Sequence, residues 1–199
     1  MIVRRFVISV FAATLLVGAC GGDPPPPPPT PPQGPDQDSL RAYNDSVAAA
    51  EAARRAEAER LAAERAAEAA RQRMIREARA TLEEMVFFDY DVSEIRNDAQ
   101  QRLRAKVDIL RRSPQVRIRI EGHADERGST EYNMALGNRR AEAIRQFLTG
   151  FGLAENRFEI VSFGEGRPLQ QGSSEASWAR NRRGQFVITA GANAIQPGN

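Results

Sequence analysis

The spacing of apolar side chains divides this chain into stretches of different period. Phe6 to Val17 is a largely apolar run of twelve residues behind a basic start with Arg4 and Arg5. A helix crossing a bilayer needs about 20 such residues, so this run instead fits the apolar part of an export signal, with Gly18 and Ala19 as the small residues before a cleavage point. From Pro24 to Pro35, nine of twelve residues are proline. That composition predicts an extended polyproline II spacer of roughly 37 Å, at about 3.1 Å per residue. From Ser39 to Glu84 there is neither Gly nor Pro, and fifteen of the 33 residues from Ala48 to Ala80 are alanine, with Arg and Glu filling most of the rest. These are the best helix formers, and they predict a helix of roughly 65 to 70 Å. Leu61, Ile75 and Leu82 share one heptad position, but Arg54 and Glu68 interrupt it, which favours a solvated or weakly associating helix over a stable coiled coil.

Beyond Met85 the periods become those of a packed domain. Met85 to Phe88 reads as a short buried strand. Ala99, Leu103, Val107 and Leu110 recur at helical spacing within a helix from Asp98 to Arg112, which Ser113-Pro114 ends. Val116, Ile118 and Ile120 alternate with Arg117, Arg119 and Glu121, the period of a half-buried strand. A second helix runs from Thr130 to Phe151, with Ser129 as its N-cap and Glu131 in its first turn. Its core stripe passes through Met134, Ala141, Ile144 and Leu148. Asn133, Leu136 and Arg140 lie on the adjoining stripe, which should edge an open groove and not be buried, with Gly137 letting a ligand approach the backbone. Phe158 and Ile160 mark a third strand, Ser174 to Arg180 a short helix around Trp178, Gln185 to Thr189 a last strand, and Gly191 to Asn199 a frayed tail. The expected fold class is α+β: a two-layer sandwich of a mixed sheet of about four strands and two main helices, preceded by the long helix.

Charge removes some functions. The chain has 28 basic and 26 acidic residues; without Arg4 and Arg5 the count is 28 minus 2, or 26, against 26. Such a balance gives no support to nucleic-acid binding. Cys20 is the only cysteine, so no disulfide can form within the chain. A single histidine, His123, cannot build a zinc shell with no cysteine near it, and is expected to be a strand-end residue hydrogen-bonded locally. Ser129, Ser162 and Ser173 lack a second histidine to act as base, and Asp89, Asp91 and Asp125 are more readily structural than hydrolytic. The expectation is a protein that is not an enzyme and needs no cofactor or metal. Arg139, Arg182 and Arg183 form a local basic cluster, read as a solvated or structurally paired edge.

One spacing carries chemistry. In Ile120 to Ala141, IEGHADERGSTEYNMALGNRRA, Asp125 follows a strand and Arg140 lies along the next helix. One carboxylate and one guanidinium held at a fixed separation suit a zwitterion: the first accepts from an ammonium, the second donates two parallel hydrogen bonds to a carboxylate. An intramolecular Asp125 to Arg140 salt bridge is the plainer alternative.

Specific motifs add a resemblance. Leu16-Val17-Gly18-Ala19-Cys20 resembles the lipobox of bacterial lipoprotein signals, whose cysteine is acylated. VFFDYD (Val86 to Asp91), EGHADERG (Glu121 to Gly128), EYN (Glu131 to Asn133), LGNRRA (Leu136 to Ala141), IVSFGEGRP (Ile160 to Pro168) and ARNRR (Ala179 to Arg183) resemble the OmpA-like domain family, and within it the peptidoglycan-associated lipoproteins. The resemblance implies non-covalent binding of peptidoglycan through diaminopimelate, with Asp125 and Arg140 as principal contacts and Phe88, Asp89, Asn133 and Leu136 lining the same groove. It also implies lipidation at Cys20, a place on the periplasmic face of the outer membrane, and partnership with Tol proteins in cell division. The layout that follows is a signal peptide at 1–19, a lipidated and Pro-rich linker at 20–38, a helical tether at 39–84, a peptidoglycan-binding domain at 85–190 and a flexible tail at 191–199. A helical envelope scaffold, or the wall anchor of another envelope complex, are the alternatives.

Overall fold

A computed structural model describes residue 34 and residues 36–198, so the lipobox, Cys20 and nearly all of the proline run lie outside the described residues. The chain divides into two units, residues 1–54 and 55–199. Helix α1 spans Gln37–Glu83, and among the described residues no helix is long and apolar enough to cross a membrane. Most of α1 is solvated and carries i,i+4 pairs such as Arg60 with Glu64 and Arg79 with Glu83. Its last turns differ: Ala78 and Leu82 are buried in the domain core.

In unit 55–199, β1 (Val86–Phe87), α2 (Asn97–Arg112), β2 (Arg117–His123), α3 (Thr130–Gly150), β3 (Phe158–Gly164), α4 (Glu175–Asn181) and β4 (Arg183–Ala190) follow in chain order. The four strands form one mixed sheet in the order β1-β4-β2-β3. β2 runs parallel to β3 and antiparallel to β4, which in turn pairs antiparallel with β1. One layer of the fold is therefore the sheet and the other α2 with α3, an α+β sandwich. Leu103 and Leu110 of α2, Ile118 and Ile120 of β2, Ile144 and Leu148 of α3 and Phe186 of β4 share the core with Leu82. Each such side chain contributes about 1.5 to 3 kcal/mol by leaving water.

Ser129 caps α3, its hydroxyl accepting from the Tyr132 amide at 3.2 Å. The buried stripe of α3 is Asn133, Leu136, Gly137, Arg140, Ala141, Ile144 and Leu148. This corrects the expected stripe, because Met134 is 42% exposed while Asn133 and Arg140 are 1% and 0% exposed. Ala141, Ile144 and Leu148 are buried as expected; Met134 lies at the exposed border of their face, about 100° round the helix from Asn133, and the buried face extends the other way to take in Asn133 and Arg140. Gly137 also has another purpose: a Cβ on Gly122 of β2 would collide with the Gly137 carbonyl, so the two glycines let helix and strand touch and are not a passage for a ligand.

The end of the chain is not frayed. Residues Ala192–Ala194 form a 3₁₀ turn, Ile195 is buried, and the Gln196 amide donates to Ser113 Oγ at 2.9 Å. Ile195 joins the core cluster, which holds this segment against the domain.

Candidate functional site

At the end of β2 the chain leaves the sheet through Ala124 and Asp125, turns at Gly128 with φ of 105°, and enters α3. Asp125 is 4% exposed and initiates the turn, its Oδ1 accepting the Arg127 amide at 3.1 Å. On the other side, the loop after β1 turns at Asp91, the one described non-glycine residue with positive φ, at 57°. Asp91 accepts from the Tyr132 hydroxyl, which ties this loop to the first turn of α3. Between the two loops and α3 lies a cavity of about 80 Å³, bordered by Asp125, Asn133, Leu136 and Arg140, with Tyr90 and Asp91. That is room for two or three waters, or for the head of an amino acid without its chain.

Arg140 is the deepest of these groups. Its Nε donates to the Val92 carbonyl at 2.9 Å, Nη1 to the His123 carbonyl at 2.7 Å and Nη2 to the Asp89 carbonyl at 2.9 Å. A guanidinium has five N–H groups, so three are spent and two remain. Among the described residues no carboxylate pairs with it. Burial, and the nearby Arg182, lower its pKa to about 10 against the pull of Asp125 and Asp91, and it stays cationic at neutral pH. The result is a buried positive charge whose fixed partners are all neutral.

Asp125 faces the opposite sign. Arg127 forks onto it, Nε to Oδ1 at 3.0 Å and Nη2 to Oδ2 at 2.7 Å, and Arg182 Nη1 reaches Oδ2 at 3.2 Å. The simple Asp125 to Arg140 salt bridge is therefore absent among the described residues, its place at Asp125 taken by two other arginines. Burial pushes the Asp125 carboxyl upward, but the hydrogen bonds from Arg127 and Arg182 outweigh it and hold the pKa below the usual carboxylate range. Asn133 is also engaged, its amide donating to the Arg127 carbonyl at 3.2 Å and to Glu165.

Phe88 and Asp89 do not line this cavity. The Phe88 ring is in the core with the Arg140 guanidinium 5.2 Å above it, and the Asp89 carboxylate turns outward to Arg96 at 3.0 Å. Their main chains still serve the site: Asp89 O holds Arg140 and Phe88 O accepts from Arg182 Nε at 3.2 Å. Sequence reasoning missed Tyr90, Asp91, Arg127 and Arg182. A signal existed for Arg127 alone, since Asp followed two residues later by a turn amide is a local hydrogen-bonding pattern.

The basic cluster separates in space. Arg182 supports Asp125, Arg183 bonds to Gln185 and to the Arg167 carbonyl, and Arg139 stands over the Tyr132 ring. His123 is 1% exposed and stacks on Phe163 with centroids 5.5 Å apart, and among the described residues neither ring nitrogen has a hydrogen-bond partner. This corrects the locally bonded histidine expected from sequence: it is the His123 carbonyl, not the ring, that has a partner. Burial, with Arg183 and Arg167 nearby, lowers its pKa to about 3.

The OmpA family matches residues 87–182. The peptidoglycan-associated lipoprotein of Brucella melitensis is 50% identical over 103 residues, which cover 52% of this chain and 61% of that relative, so the chain spans less than two thirds of its length. The crystal structure of the peptidoglycan-associated lipoprotein from Burkholderia pseudomallei shares 42% identity and a TM-score of 0.52, over 53% of this chain and 89% of that one. The C-terminal domain of Helicobacter pylori MotB, at 20% identity and a TM-score of 0.52 over 56% of this chain and 88% of that one, shares the fold.

Proposed function

This chain belongs to the OmpA family, and on that footing we propose that it is a lipid-anchored tether that binds peptidoglycan non-covalently through diaminopimelate. The observation that carries the reading is Arg140: a buried cation, bonded among the described residues only to carbonyls, with two N–H groups to spare at the edge of a small cavity. A carboxylate is the group that answers it, and two parallel N–H bonds are the fork a carboxylate accepts. Asp125 on the same cavity supplies the anion for an ammonium. A ligand with both groups on one carbon uses both residues, and the free end of diaminopimelate is such a group.

Each charge-assisted hydrogen bond contributes roughly 1.5 to 3 kcal/mol, so three or four, less the entropy of association, give an affinity on the order of micromolar. On a repetitive polymer, with the protein fixed at Cys20 by lipid, many such contacts in parallel hold firmly. The likeness to two peptidoglycan-associated lipoproteins supports the same reading. The proposal extends to an outer-membrane location facing the periplasm and to partnership with Tol proteins in cell division. The site is read as a binding site and not a catalytic one, since its groups are already committed to holding charge.

The test is retention on sacculi. The full chain in detergent should sediment with diaminopimelate-containing peptidoglycan, and Asp125→Ala or Arg140→Ala should reduce that retention at least about 100-fold, the worth of a lost buried charged contact. Equal retention of wild type and both variants would reject the proposal.

A further inference from the structure

Counting the acceptors of Asp125 shows that it has none to offer. An ionised carboxylate has about four lone-pair sites. In this structure Oδ1 accepts the Arg127 amide at 3.1 Å and Arg127 Nε at 3.0 Å, while Oδ2 accepts Arg127 Nη2 at 2.7 Å and Arg182 Nη1 at 3.2 Å. All four are filled, two of them by one guanidinium. An incoming ammonium can bond to Asp125 only if a donor leaves.

The two arginines are unequal candidates to leave. The Arg182 side chain is 8% exposed and also tied to the Phe88 carbonyl and, at 2.7 Å, to Glu175. The Arg127 side chain is 28% exposed, stands at the rim of the cavity, and is followed by Gly128 in the left-handed region, a backbone that turns freely. Its guanidinium lies between two rings, 3.9 Å from the Tyr90 centroid and 4.1 Å from that of Trp178. A second resting place is at hand, because Nη1 is already 3.7 Å from Glu175 Oε2.

We propose that Arg127 is an internal stand-in for the ligand ammonium: it holds Asp125 until a zwitterion displaces it, and so sets the site's selectivity for ligands carrying both charges. This deepens the proposed function and rests on it. Binding becomes an exchange of one cation for another on Asp125, with the carboxylate seated on Arg140. A ligand that brings only a carboxylate leaves the Arg127 fork in place. In the ligand-free protein the same fork compensates the Asp125 charge, which otherwise sits buried against Arg182 alone.

The exchange has a built-in reporter, since Trp178 is the only tryptophan of the chain and Arg127 stacks on it. The experiment titrates the full chain in detergent with meso-diaminopimelate, comparing wild type with Arg127→Ala and Arg127→Gln by calorimetry and Trp178 emission. Removing the competitor should tighten binding roughly ten-fold, the scale of one partly exposed, ring-stacked ion pair. The wild type should show a Trp178 emission change on binding that both variants lack. Pimelate, which has the carboxylates and no ammonium, should gain nothing from either variant. Weaker or unchanged diaminopimelate binding in the variants overturns the proposal, as does wild-type binding with unmoved Trp178 emission. If the wild type binds no diaminopimelate at all, the proposed function itself fails, and the displacement goes with it.

Discussion

The end of α1 and the cavity beside α3 each hold a basic side chain with no exposed surface, and the two are wired alike. Lys106, the only lysine, donates to the carbonyls of Thr81, Leu82 and Glu84 at 2.6, 3.1 and 2.6 Å, while Arg140 donates to those of Val92, His123 and Asp89. Both are 0% exposed, and each lies over an aromatic ring, Phe186 and Phe88 respectively. The difference is arithmetic. Burial lowers the Lys106 pKa to about 7, and in its charged form it has three donors and spends all of them; a guanidinium has five and keeps two. Lys106 closes the C-terminal carbonyls of a helix with no basic residue in its own last turn, and its work ends there. Arg140 borders a cavity and has donors left for a ligand. A buried cation is therefore a candidate binding group when its donors outnumber its fixed acceptors, and a structural plug when they do not.

The largest effect should come from the plug. Lys106→Met leaves one buried and two partly buried carbonyls without their donor and should cost about 3 kcal/mol in urea unfolding, with sacculus binding of the folded fraction unchanged. Lost binding at intact stability would break the contrast.

Arg140→Lys converts the second site into the first. Its three N–H groups can satisfy the three carbonyls but leave none for a carboxylate, so retention on sacculi should fall about 100-fold while unfolding free energy drops by no more than about 2 kcal/mol. Full retention would mean that the spare donors of the guanidinium do not hold the ligand.

Acid sharpens the comparison more gently, because His123 lends its carbonyl to Arg140 and nothing to Lys106. Its folded-state pKa of about 3 lies below the ordinary 6.5, so between those values the unfolded chain binds a proton that the folded chain does not. Stability from this group is thus whole above pH 6.5 and is lost as pH falls toward 3. Between pH 7.5 and pH 5 the loss should be about 2 kcal/mol. His123→Phe, which keeps a ring against Phe163, should flatten that part of the profile, and an unaltered profile would assign the acid sensitivity elsewhere.

Much of the fold was legible because period reports burial. The alternation of Val116, Ile118 and Ile120 placed β2, the Ser129 hydroxyl placed the start of α3, and the alanine-rich composition placed α1 within two residues of its observed start. What failed were decisions that depend on a neighbour in space. Asn133 and Arg140 are polar, and nothing in a sequence window says that carbonyls from loops 48 and 51 residues away will receive a guanidinium inside the core. Phe88 and Asp89 were two residues from the side chains that do border the cavity, because the left-handed turn at Asp91, which aims Tyr90 and Asp91, has no glycine to announce it. The filling of Asp125 by Arg127 was half visible, as a local turn, and its second half, Arg182 at 57 positions' distance, was not.

The clamp at the end of α1 has a mechanical corollary. β1 begins three residues after this helix ends, and the segment behind β1 supplies the Asp89 and Val92 oxygens that seat Arg140. Traction applied to the chain ahead of the domain meets Leu82 and Lys106 first, where apolar packing and three short polar bonds resist it together. The load is discharged into the sheet and helices at that point, and the oxygens that seat Arg140 are spared the strain until the clamp itself gives way.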